Sequence, residues 1–277
     1  MTWEDIVNSS KKMKVKTYQV FQEKIQKSIL TSLSREGVFN KLVFQGGTSL
    51  HFFYGNPRFS EDLHFVLRQG INNCDLTPTT SKIQSFIGDV FPYLEDVNVN
   101  VQKNNSDLQR FIVRTISNIP EQTLRIHIEV AKVPSYLNQP RILDYPPLNP
   151  AVRVEHASEI LADKVTALGS RPYLKGRDIW DIYFLIVEKD ISIPWDLVIQ
   201  KAKDYGNTIA ELKKGIITAS KRIKGEDISI LSNEMKRFLP KPLLDQYSEV
   251  FDEITTRVAQ EVEKVRKATA EKQHTNR

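Results

Sequence analysis

FQGGTSLHFFYGNPRFSEDLHF, residues 44–65, places a strand end, a glycine turn, a short helix and a second strand in one run. The apolar Leu42–Phe44 leads into Gly46-Gly47-Thr48-Ser49, a turn that opens a helix over 48–54. Asn56-Pro57 is a tight turn. In 61–67, Leu63, Phe65 and Leu67 point one way and Asp62 and His64 the other, the period of a strand. Two glycines after a strand let the backbone approach a ligand, and a helix start presents N–H groups that favour negative charge. Thr48 or Ser49 could add a hydroxyl. Carboxylates at i and i+2 on a strand share a face, which suits divalent ions bridging phosphate oxygens. Asp62 fits that role, and His64 stands where the second carboxylate is expected. Mg²⁺ prefers oxygen, whereas Mn²⁺ or Zn²⁺ accepts imidazole better. The plainer alternatives are a tight Gly-Gly turn and a half-buried strand histidine.

Working outward, residues 17–36 carry Tyr18, Phe21, Ile25, Ile29 and Leu33 at helical spacing, and Gly37 stops the helix. A polar loop spans about 69–80 and a helix 81–91. Strand-like runs follow at 95–102, 109–116 and 121–132, separated by Asn-, Ser-, Asp- and Pro-rich turns. Residues 134–150 read as a proline-rich connection. After 155 the chain turns helical: 156–171, then a helix from about Arg177, then three or four more, the last over 243–272. The expected architecture is α/β (α+β), with a small mixed sheet and flanking helices in residues 1–155 and a helical lobe in 156–277.

The chain has 277 residues, 40% hydrophobic and 26% charged, the composition of a globular protein. No apolar run reaches the roughly 18 residues of a membrane span, and the N-terminus has no apolar signal region. The single cysteine, Cys74, excludes an internal disulfide and a cysteine-based zinc site. These features point to the cytoplasm. The net charge of +5 fits a polyanionic partner, with lysines at 11, 12, 14 and 16 and a second basic group over 213–241, although solvated helix faces read the same way.

Two further segments could carry chemistry. In 121–132, Arg125, His127 and Glu129 alternate onto one face and Ile126, Ile128 and Val130 onto the other. If that polar face meets the Asp62 face, Glu129 becomes a further metal ligand; a half-exposed antiparallel strand alternates in the same way. In LADKVTALGSRPYLKGRDIWDIYFL, residues 161–185, Lys164, Arg171, Lys175 and Arg177 gather beside Asp178 and Asp181. Cations for a triphosphate and carboxylates for proton transfer are what phosphate chemistry requires. Surface ion pairs across a helix–loop–helix are the alternative.

The order and spacing of GGTSLHFFYGNPRFSEDLHF, RIHIEV and LADKVTALGSRPYLKGRDIWDIYFL resemble the AbiEii-type nucleotidyltransferase toxins, which have the fold of the DNA polymerase β superfamily. The resemblance covers about residues 15–190. It implies that Gly46, Gly47, Thr48 and Ser49 hold nucleotide phosphates and that Asp62 is the first metal-binding carboxylate. The second metal position falls on His64, and a further acidic position on Glu129. Lys164 and Arg177 would hold the triphosphate, and Asp178 or Asp181 would orient a group or act as base. Asp62, Lys164, Asp178 and Asp181 are then the catalytic candidates, with Mg²⁺ or Mn²⁺ as cofactor and an NTP as substrate. A tRNA or other RNA end is the implied acceptor and an antitoxin the implied partner. His64 leaves two other expectations open: a catalytically silent nucleotide- or antitoxin-binding protein, and a metalloenzyme using His64, His127 and Glu129.

Overall fold

The computed structural model of the chain describes residues 1–225 and 228–268. They fall into two compact units: Met1–Gly55 with Phe59–Glu155, and Asn56–Arg58 with the residues from His156 onward.

In the first unit, α1 (Trp3–Met13) starts at a capping box made by Thr2 and Asp5, a helix that the sequence reading does not include. α2 (Thr17–Arg35) follows, with Phe21, Ile25, Ile29 and Leu33 fully buried, and Gly37 ends it at φ +68°. Then come β1 (Leu42–Gln45), α3 (Gly46–Tyr54), β2 (Leu63–Arg68) and α4 (Thr80–Val90). β3 (Asp96–Asn104), β4 (Leu108–Ile116), β5 (Arg125–Ser135), β6 (Asn138–Ile142) and β7 (Ala151–Glu155) complete the unit. The seven strands form one mixed sheet in the order β3-β4-β5-β2-β1-β7-β6. β2 runs parallel to β5, and β1 parallel to β7. Leu63, Phe65, Leu67, Phe111, Val113, Ile126, Ile128 and Val130 join Ile29, Ile83 and Ile87 in one core, so α2 and α4 cover one face of the sheet.

Three expectations change here. The diglycine is the first turn of α3 rather than a turn before it. The strand expected over 121–132 begins at Arg125, because Pro120–Gln122 forms a 3₁₀ turn. The connection expected over 134–150 contains β6 and leads into β7. Proline in a strand is tolerated at an edge, where its missing N–H breaks no ladder, and β6, which holds Pro140, is an edge strand.

The second unit contains α5 (Ala157–Ser170), α6 (Gly176–Tyr183) running into a π-helical turn (Phe184–Glu188), α7 (Trp195–Asp204), α8 (Ile209–Gly225), α9 (Ile228–Phe238), α10 (Lys241–Ser248) and α11 (Phe251–Glu263). Five helices therefore follow α6 among the described residues, more than the three or four expected. The single helix expected over 243–272 divides into α10 and α11; its residues 269–272 lie outside the described residues. α10 buries no residue, while α11 buries Phe251, Ile254, Val258 and Val262, so only α11 carries a stripe that packing can hold. Buried Lys201 of α7 reaches Glu159 at 2.6 Å and Asp163 at 3.3 Å on α5. α5 and α8 meet at glycines: a Cβ on Gly215 would collide with the carbonyl oxygen of Gly169.

That contact predicts the sign of two alanine substitutions. Gly215→Ala gains helix propensity yet overpacks against backbone, so stability falls by about 1–3 kcal/mol. Gly88→Ala in α4 meets nothing within 4 Å and should be neutral or gain up to about 1 kcal/mol. Urea unfolding of both variants measures the difference.

Candidate functional site

The polar face of the sheet is set by strand register. Parallel pairing places Leu63 against Ile128 and His64 against Glu129, so Asp62, His64, His127 and Glu129 share a face. Asp62 Oδ1 accepts the backbone N–H of His127 at 3.2 Å and contacts its Nδ1 at 3.0 Å. His64 Nδ1 lies 3.4 Å from Glu129 Oε2, while Arg110 Nε on β4 donates to Glu129 Oε1 at 2.7 Å. The His64 imidazole and then the Arg110 guanidinium outweigh burial and hold the Glu129 carboxyl well below the ordinary range, at about 2. Side-chain exposures of 29% for Asp62, 31% for His127 and 25% for Glu129 leave the strip open to a ligand.

α3 begins beside this strip. β1 pairs Gln45 with His64, and Gly46 then bends at φ +84°, a conformation that strains any side chain. A Cβ there would touch the His64 ring at 3.6 Å. No side chain caps α3, so its first-turn N–H groups have no capping acceptor. The Thr48 hydroxyl donates to the carbonyl of Asp62 at 2.5 Å, which ties the start of α3 to the start of β2. Ser49 Oγ is buried and has no hydrogen-bond partner among the described residues.

The second unit holds a separate ionic cluster. Asp181 is fully buried and accepts from Arg58 through Nε at 2.6 Å and Nη2 at 2.5 Å, and from Asn56 Nδ2 at 2.9 Å. The Trp180 indole N–H donates to Asn56 Oδ1 at 2.9 Å. Lys164 Nζ lies 2.8 Å from both Asp178 and Asp181, and Arg171 binds the other oxygen of Asp178. Burial opposes ionisation of Asp178, but Lys164 and Arg171 outweigh it and hold the carboxyl at about 2. Burial likewise opposes ionisation of Asp181, and Arg58 and Lys164 pull its carboxyl down. A general base works best near the ambient pH, so these two acids are suited to holding cations rather than taking protons. Arg177, expected in this cluster, is placed elsewhere: its backbone N–H and Nε reach Glu234, and it lies over Phe238 at 4.8 Å. A cavity of about 660 Å³ lined by Tyr183, Val187, Asp252 and Arg257 contains none of the expected site residues.

The family of nucleotidyl transferase AbiEii toxins, of the type IV toxin–antitoxin system, matches residues 28–267. The chain belongs to the AbiEii family. No curated protein matches it. Among solved structures it is similar to JHP933 of Helicobacter pylori, at 20% identity and a TM-score of 0.52, over 94% of this chain and 98% of that one. A second H. pylori structure, of a putative nucleotidyltransferase, aligns at 20% identity and a TM-score of 0.50, over 88% and 93%. At these identities the likeness shows a shared fold.

Within this AbiEii chain the donors do not fit a two-ion centre. Glu129 has both oxygens engaged, and the position beside it offers imidazole. Among the described residues no group of three or more His, Cys, Asp or Glu side chains is arranged to hold a metal. The alternative set of His64, His127 and Glu129 is not grouped as a metal site among the described residues either. Asp62 Oδ2 carries no hydrogen bond among the described residues and remains open to one ion. Sequence reasoning missed three features. Arg58 stands out only as a neighbour of a turn, Arg110 only as part of a strand, and the Asp62–His127 pair requires knowing the β2–β5 register. Among the described residues no helix is long and apolar enough to cross a membrane.

The cluster makes stability depend on acid pH. A carboxyl held at about 2 against an ordinary 3.8 adds stability that is complete above pH 4 and lost as pH falls towards 2. About 2 kcal/mol should disappear in that window. Asp178→Asn should flatten the pH dependence there by about one proton in acid-unfolding curves. Asp181→Asn, which leaves buried Arg58 and Lys164 short of a charge, should cost about 3–5 kcal/mol at pH 7.

Proposed function

We propose that the chain transfers a nucleoside monophosphate from an NTP to an acceptor and releases pyrophosphate. The observation that carries this reading is the Thr48–Asp62 hydrogen bond, which ties the uncapped start of α3 to the backbone of the residue whose carboxylate has an open oxygen. The N–H groups of Gly46, Gly47 and Thr48 bind phosphate oxygens, as helix starts do. Thr48 positions Asp62, and the His127 contacts fix the direction of its carboxylate. Asp62 would hold the Mg²⁺ or Mn²⁺ cofactor, which would supply polarisation of phosphate oxygens. Lys164 is the cation proposed for the triphosphate, with Asp178 and Asp181 as positioning residues that hold its ammonium. RNA is the proposed acceptor, a cognate antitoxin the partner and the cytoplasm the compartment.

One observation favours a second reading, a silent nucleotide-binding or antitoxin-binding protein. His64, Glu129 and Arg110 already satisfy one another, so the polar strip is electrostatically settled without a ligand.

Incubation with each labelled NTP, Mg²⁺ or Mn²⁺ and total RNA separates the two. His64→Asp should raise transfer at least about 10-fold, equivalent to about 1.4 kcal/mol of barrier. Asp62→Asn should abolish transfer in either background. NTP binding by both native and His64→Asp chains with no pyrophosphate release would establish the silent reading. Absence of NTP binding from both would end the nucleotidyltransferase proposal.

A further inference from the structure

Two arginines on the polar face are placed against electrostatic preference. Arg114 of β4 and Arg125 of β5 stand directly opposite each other in the antiparallel ladder, and both are exposed. Like charges at directly opposed positions repel and destabilise a sheet. Neither arginine has an acidic partner among the described residues. The same ladder solves this problem elsewhere: Arg110 stands opposite Glu129 and is bonded to it. On the neighbouring β3, Asn98 is in register with Arg114, and Asn100 lies one step along the same face. The nearest acid on that face of β3, Asp96, accepts from the Asn98 amide at 2.8 Å and from the backbone N–H of Val97 at 2.8 Å. Fold stability alone gives no reason to retain two uncompensated guanidiniums here.

We propose that Arg114 and Arg125, with Asn98 and Asn100 beside them, bind the phosphodiester backbone of a single-stranded nucleic-acid acceptor. The acceptor role rests on the nucleotidyl-transfer reading; the anion site rests on the arginine pair. Guanidiniums match phosphate oxygens in a fixed two-donor geometry, and their mutual repulsion is relieved when an anion lies between them. The pair is distinct from the nucleotide end of the face. Arg114 on β4 is three strand spacings, about 14 Å, from β1, which leads into the diglycine bend, and Arg125 on β5 is two, about 10 Å. In the other direction, Arg125 is one two-residue step, about 7 Å, from His127, which holds Asp62. A strand laid along this track would bring its end towards Asp62 while its upstream phosphates rest on the arginines. Such contacts set the position of a strand rather than read its bases.

The test is fluorescence anisotropy of a labelled single-stranded RNA oligonucleotide, titrated with the full chain across a range of salt. It compares the native protein with Arg114→Ala, Arg125→Ala, the double variant, and a Lys11→Ala/Lys12→Ala control at an exposed lysine cluster. Each arginine removed should weaken binding and reduce the slope of log K against log salt by about 0.7. The control should change either quantity less. Melting temperatures of the arginine variants should equal or exceed that of the native chain, because a repulsive pair has been relieved. A DNA strand of the same sequence should lose affinity in parallel, as backbone recognition requires. Unchanged RNA affinity and salt slope in the double variant would overturn the proposal, as would a loss no larger than in the lysine control. NTP binding, measured on the same proteins, should be unaffected. Loss of RNA binding in a chain that performs no nucleotide transfer supports the anion site and refutes only the transfer reading. Transfer that continues with RNA binding unchanged in the double variant refutes the site alone.

Discussion

The register between β2 and β5 governs the whole first unit. Side chains alternate along a strand, so one alignment fixes both faces at once. With Leu63 beside Ile128 and Phe65 beside Val130, four apolar side chains enter the core, and Asp62, His64, His127 and Glu129 are grouped on the other face. A one-residue slip would turn two acids and two imidazoles into the core, at a cost that unpaired buried charge makes prohibitive. Hydrophobic burial therefore positions the polar strip with no polar interaction needed to specify it. The constraint extends to β1, whose pairing puts Gln45 opposite His64 and so brings the left-handed bend at Gly46 against the imidazole.

The two units engage their carboxylates in opposite ways. Asp178 and Asp181 are buried, and each is compensated by two cations within hydrogen-bond reach. Three cations, Arg58, Lys164 and Arg171, face these two acids, and every carboxylate oxygen is engaged. Such a cluster is rigid and poor at proton transfer, but it holds an ammonium in one place. Asp62 is partly exposed, and both of its hydrogen bonds fall on one oxygen, so its other oxygen can meet a ligand. The difference between the two kinds of acid lies in free lone pairs: Asp178 and Asp181 have none left, and Asp62 keeps one oxygen open.

How much was legible in the sequence follows the range of the interactions involved. The strand–glycine–helix–strand order of 42–67 could be read because period, glycine and turn signals are local. The helical stripe of α2 was legible for the same reason. The β6 strand was hidden because Gln139 and Pro140 have the composition of a loop, and only the edge position shows that a missing N–H is harmless there. Arg58 and Asp181 lie 123 residues apart, and nothing near either announces the other. His127 was placed on the correct face by alternation, yet its partner depended on a strand pairing that alternation cannot supply. The departure of Arg177 to Glu234 likewise depends on where α9 packs, which no helical period encodes.

His64 is best understood through the charge balance of the strip. An aspartate at this position would stand directly opposite Glu129, a like-charged cross-strand pair held by one arginine. Three carboxylates on adjacent positions raise one another's proton affinity. Imidazole at 64 removes one negative charge and adds a partner for Glu129, so the repulsion is relieved within the protein. The single position thus sets the charge balance of the polar strip, while the apolar register beneath it does not depend on the identity of residue 64.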